Sequence, residues 1–210
     1  KQMEHRQRRR IDRDRGTLLP LNSALRRLVE EKTSKLRMLK RKRISELFEI
    51  YPITKKEEYY CIRDKSFSQI QLDEGVRNEM KRIEGAAALG HCAKLMITLA
   101  QYMNITLIHE IRFCGSESCI LDDENKSHNL FPSSSSSSFT KALDLLDVTA
   151  RRLSSSVLNE LDVDIKILSI AFPERLSSSS CRYSRSIFES LYAVQCYCTF
   201  DDGKSWRHYL

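Results

Sequence analysis

The sequence predicts an α+β protein. A basic arm and a long N-terminal coiled-coil helix (residues 1–51) precede a mixed α/β domain (residues 52–210) with antiparallel strands packed on helices. Three observations carry this reading. Leu18, Leu21, Leu25 and Leu28 step by three, four and three, the a/d rhythm of a coiled coil. Residues 85–103 form the longest apolar stretch at helical period, with Leu89, Ala93, Met96, Leu99, Ala100 and Met103 recurring on one face. Around that stretch lie short segments rich in branched and aromatic residues, the composition of strands.

The chain begins with Lys and is read as a piece of a longer protein; no apolar leader lies near its start, so secretion is not indicated. Residues 1–17 are polar and arginine-dense, with Arg8, Arg9 and Arg10 in a row, and read as a solvated arm. Charge divides the chain. Residues 1–43 hold 16 Lys and Arg against 5 Asp and Glu, a net of +11; the remaining 19 and 23 of the chain's 35 and 28 leave residues 44–210 at −4. A basic arm suits nucleic acid, anionic lipid or an acidic partner, whereas the acidic body argues against a nucleic-acid-binding domain.

From Leu18 the leucine seam begins, and Pro20 suits a first helical turn. The seam breaks at Lys32 and resumes at Leu36 and Leu39, then Ile44, Leu47 and Ile50. Two short seams with a polar gap are too little for a stable lone helix in water, so the sequence asks for a partner surface, on another chain or, alternatively, on its own domain against which the helix folds back. Leu18, Leu21, Leu25, Leu28, Leu36, Leu39, Ile44 and Leu47 are the candidate partner-binding residues. Pro52 sets the end of the helix near Tyr51.

Residues 58–62 read as a strand and 67–72, alternating at Phe67, Ile70 and Leu72, as its hairpin partner. Residues 75–84 are helical in tone and lead into the helix of residues 85–103, whose length also admits a membrane span. His91, Lys94, Gln101 and the run of small residues disfavour that. Asn104 ends the helix, 105–113 reads as a third strand with His109 inside it, and Gly115 and Ser116 make a turn. Residues 122–129 read as a polar loop. Asp122, Asp123 and Glu124 in it are taken as a solvated acidic patch.

Six serines, 133–138, read as a loop or insertion, and 177–180 as a second serine loop. Asp147 is placed as N-cap of a helix over 148–161. Residues 163–172 read as a buried strand and 187–200 as helix passing into strand. Asp201, Asp202 and Gly203 mark a turn before Trp206 and Tyr209.

Chemistry is sparse. There is no phosphate-cradling glycine loop, no HExxH and no GxSxG elbow. Seven cysteines lack a disulfide framework or zinc spacing and suit reduced thiols in the cytosol. No metal, cofactor or catalytic constellation is expected, and the chain is read as no enzyme.

With these elements placed, a resemblance emerges. Residues 43–53, running through Ile44, Ser45, Glu46, Leu47, Ile50, Tyr51, Pro52 and Ile53, resemble the "ISELxxIYPI" of the UVRAG/Barkor family, where it joins the coiled coil to the C-terminal domain. Tyr60, Cys61 and Ile62 fall at that family's first strand, and residues 87–96 are similar to its "ALGYxAHLV" helix. Residues 105–107 with Gly115 and Ser116, then Leu130, Phe131 and Pro132, then 139–153 keep the family's order. Departures are the six serines in place of a linker and Ala142 where Gly is usual; residues 163–210 fall outside the likeness. The resemblance implies a non-catalytic subunit of the class III phosphatidylinositol 3-kinase complex. Such a subunit would pair through its coiled coil with Beclin. It would sit beside the catalytic and pseudokinase subunits, peripheral on endosomal or autophagic membranes. The alternative is a basic-arm adaptor for nucleic acid or an acidic protein.

Overall fold

The computed structural model describes residues 2–56, 60–66, 79–131, 136–163 and 183–199, with side chains described from Leu19 onward except at 79, 81, 116, 136 and 183–186. Among them it is mixed helix and sheet, with four helices and two small antiparallel three-stranded sheets. Contacts divide the chain into two units, Lys1–Leu39 and Lys40–Leu210. This division falls at 39/40, inside the first helix, whereas the sequence reading sets its boundary at 51/52. Residues 40–50 are still helical, but their apolar face (Ile44, Leu47, Phe48) is buried in the core of the second unit.

The first unit is one helix, the leading part of α1 (Gln2–Ile50). Pro20 lies inside it rather than in a first turn. A proline there cannot donate to the Gly16 carbonyl four residues back, which costs about 3 kcal/mol in a helix interior. The Ser23 hydroxyl donates to the Pro20 carbonyl at 2.8 Å.

In the second unit β1 (Ile53–Lys55), β2 (Tyr60–Ile62) and β3 (Lys65–Ser66) form the first sheet in that order. Ile53 pairs Ile62, and Ile62 pairs Lys65. The intervening Arg63 and Asp64 have φ of 49° and 61°, the doubly left-handed geometry of a two-residue hairpin turn. β3 pairs β2 through this turn; the hairpin partner expected at 67–72 lies outside the described residues. β1 is an edge strand, and a side chain covers it. Gln195 accepts from the Ile53 N–H at 2.8 Å and donates to the Ile53 carbonyl at 3.0 Å. A planar amide thereby takes the place of a neighbouring strand.

α2 (Glu79–Met103) is the helix the sequence singled out, begun six residues earlier than residue 85. Leu89, Cys92, Ala93, Leu95, Met96 and Leu99 are fully buried. The helix is long and apolar enough to cross a membrane, but 61% of its most apolar window is buried inside the protein, as in a core helix. It ends in a double cap. Asn104 (φ 55°) donates to the Gln101 carbonyl at 3.2 Å and Ile105 to the Ala100 carbonyl at 2.9 Å, the Schellman pattern. That cap engages the first N–H of the expected strand 105–113, and only β4 (Ile111–Arg112) is regular.

β4, β5 (Cys119–Leu121) and β6 (Ser127–Asn129) make the second sheet, with Ile120 opposite both Ile111 and His128. The loop expected over 122–129 therefore contains a strand. Gly115 (φ 64°) opens the 3-10 turn Gly115–Glu117 between β4 and β5.

α3 (Ser136–Glu160) is one helix, so Ser136 to Ser138 open a helix rather than a loop, and Asp147 is mid-helix. The reason is a continuous buried face, Phe139, Ala142, Leu143, Leu146, Ala150, Leu153, Val157 and Leu158, that runs straight past residue 147. Asp147 pairs instead with Arg151 one turn on, at 2.7 Å. Asp162 (φ 63°) closes α3 with the same double cap as Asn104. α4 (Tyr183–Thr199) packs on α3 through Ile187, Phe188, Leu191 and Val194 and stays helical to Thr199, without the strand expected after residue 187. The strand over 163–172 and the serines 177–180 lie outside the described residues, apart from buried Val163.

Candidate partner-binding helix and a buried polar tie

The residues the sequence marked for partner binding separate into two groups. Leu21, Leu25, Leu28, Leu36 and Leu39 are 48–61% exposed, with Leu19, Val29 and Met38 exposed beside them. Neighbours one turn away shade what remains of each side chain. At 100° per residue these five leucines fall on one stripe of α1, because the steps 21-25-28 and 36-39 keep returning to the same azimuth. Leu18 is in the same helix, its side chain outside the description. Covering the stripe would contribute on the order of 5 kcal/mol before the cost of ordering.

Ile44 and Leu47 are corrected. They are 0% and 3% exposed and belong to the chain's own core. At 100° per residue Ile44 and Phe48 lie well round the helix from the exposed leucines, with Leu47 at the edge between the two faces. The signal was present in the sequence, since the step from Leu39 to Ile44 is five. Lys40 secures the body end of α1 through an ion pair with Glu160 at 2.9 Å, and Arg41 lies over the Tyr197 ring at 5.2 Å.

A second arrangement was missed. Asp122, expected in a solvated patch, is buried and ties four pieces of backbone together. Its Oδ1 accepts from the backbone N–H of Glu124 at 3.1 Å and of Lys126 at 2.8 Å, closing the β5–β6 turn, with Asn125 at φ 61°. Its Oδ2 meets Lys141 Nζ of α3 at 2.6 Å and His128 Nε2 of β6 at 3.0 Å. His128 Nδ1 lies 3.2 Å from Ser138 Oγ in the first turn of α3. The hydrogen bonds from Lys141, His128 and Lys126 hold the Asp122 carboxyl well below the usual carboxylate range, and the same contact raises Lys141. A Ser–His–Asp sequence of contacts invites a nucleophilic reading. Here Asp122 Oδ2 is shared between His128 and the Lys141 ammonium, and Oδ1 is held by the turn amides. The cluster works as a tie between hairpin and helix. Six residues across a hairpin and nineteen to α3 gave no readable spacing.

An open groove of about 560 Å³ runs beside this tie, lined by Ile97, Ile105, Leu107, Ile108 and the Asp122 turn. Buried His109 lies in it, with Nδ1 3.6 Å from Asp123 Oδ1. Burial pushes the Cys92 and Cys198 thiols up to about 12 and raises Cys61 and Cys196 as well. Among the described residues no group of three His, Cys, Asp or Glu is placed to hold a metal ion.

No protein-family model matches the chain, and no curated protein matches it significantly.

Proposed function

We propose that this chain is a non-catalytic scaffolding subunit that binds another polypeptide through the leucine stripe of α1. The observation that carries it is the five half-exposed leucines on one face of a helix that a proline weakens. Leucines so placed contribute nothing to the chain's own core, and a lone amphipathic helix of this kind is stabilised only when its face is packed. The motif order over residues 43–153 specifies the reading further. The complex is the class III phosphatidylinositol 3-kinase complex and the paired chain is Beclin, alongside the catalytic and pseudokinase subunits. The chain would support endosomal trafficking or autophagy from a peripheral position on those membranes.

The test is co-purification. Leu25→Asp with Leu28→Asp abolishes recovery of Beclin while leaving the thermal unfolding of the body unchanged. Undiminished recovery overturns the reading. The rival, an adaptor gripping phosphate or carboxylate through Arg6 to Arg15, separates by salt. A complex held by charge weakens steeply between low and high ionic strength, and one held by leucines much less.

A further inference from the structure

Lys32 sits in the middle of the leucine stripe. It lies four residues from Leu28 and four from Leu36, and its other neighbours one turn away are Val29 and Lys35. None is acidic, and Lys35 is itself paired with Glu31. Lys32 is exposed and makes no ion pair among the described residues. Any helix that covers the leucines must therefore accommodate an ammonium at the centre of the contact. Residues 1–39 hold 12 Lys and Arg against 5 Asp and Glu, a net of +7 on the unit that carries the stripe.

These charges select the occupant. A second copy in parallel register sets Lys32 against Lys32, and like charges facing each other across an interface cost several kcal/mol. An antiparallel copy centred on the stripe sets Lys32 against Leu28, an apolar side chain with no carboxylate directly opposite the ammonium. A helix from a different chain, with an apolar seam interrupted by one Glu or Asp, satisfies both the leucines and the cation. A single polar seam position is an established way to fix register and partner choice.

We propose that Lys32 is the specificity-determining residue of the α1 stripe. It rejects self-pairing and admits a partner helix that presents a carboxylate opposite it. This rests on the helix-partner reading above and names the chemistry of the occupant.

The experiment uses the full chain and two synthetic helical peptides. Both carry leucines at the stripe's spacing and differ only in the seam position facing Lys32, one Glu and one Lys. The Glu peptide binds at least about tenfold more tightly, a difference of about 1.4 kcal/mol. The preference disappears in the Lys32→Gln chain. Sedimentation finds the unaltered chain monomeric and the Lys32→Leu chain self-associated. Equal affinity for the two peptides overturns the role of Lys32 and leaves the helix-partner reading standing. Failure of both peptides to bind overturns the helix-partner reading itself. A preference that persists in Lys32→Gln assigns it to the general basicity of the unit and overturns the proposal, as does a monomeric Lys32→Leu chain. Because Lys32 is exposed, its variants keep the fold, and circular dichroism checks this.

Discussion

Two sets of leucines in this chain share a helical spacing and differ in everything else. In α2 and α3, Leu89, Leu95, Leu99, Leu143 and Leu146 lie at 0–1% exposure, each surrounded by side chains of the same unit. In α1, Leu21, Leu25, Leu28, Leu36 and Leu39 repeat the same steps of three and four with about half their surface in water. What separates the sets is what flanks them. Ala86, Ala88 and Ala93 along α2 let other elements approach closely, whereas the α1 stripe is flanked by Arg26 and Lys35 and interrupted at its centre by Lys32. One set stabilises a fold, and the other is free to stabilise an association.

Substitutions can break that contrast or sharpen it. The largest effect on stability falls on the buried set. Leu89→Ala removes a fully buried side chain from the central helix, and chemical denaturation should register a loss of about 3 kcal/mol. A loss below about 1 kcal/mol would mean that α2 is not the centre of the core. Gln195→Ala comes next. It leaves the N–H and carbonyl of Ile53 without their covering amide, and the same measurement should fall by about 1–2 kcal/mol. Native-state hydrogen exchange should speed at Ile53 and in the strand it pairs with.

Acid acts on the Asp122 tie. Its carboxyl is held below the usual range by Lys141, His128 and the Lys126 amide, so the unfolded chain takes up a proton at higher pH than the folded one. The stabilisation is complete above the ordinary carboxylate value near 3.8 and is lost as pH falls below it. Asp122→Asn should lower the thermal midpoint at neutral pH and flatten its decline below about pH 4. A decline as steep as in the unaltered chain would remove Asp122 from the acid response. Leu25→Ala, in the exposed set, should have the smallest effect on the isolated chain, within about 0.5 kcal/mol. Only binding to a partner should feel it.

The long helices were legible because periodicity accumulates. Nineteen residues with a repeating apolar face left α2 no other reading, and Pro52 placed the end of α1 within a residue. Asn104 was legible as a stop because asparagine tolerates the left-handed turn that closes a helix. The strands were legible only as regions. β3, β4 and their neighbours are two or three residues long, too short for alternation to rise above chance. Asp147 misled because a residue well suited to a cap is also tolerated mid-helix when an arginine follows one turn later.

The sequence by itself determined the core helix α2 and the end of α1, the charge division between arm and body, and the leucine stripe with a lysine at its centre. Each depends on residues close along the chain, where spacing alone sets the geometry. Only the tertiary structure decided that Ile44 and Leu47 belong to the body and the other leucines do not, and that Asp122, His128, Ser138 and Lys141 meet. It also set Gln195 as the edge of a sheet 142 residues away. Those facts depend on which segments pack together, and burial is a property of neighbours that no local pattern specifies.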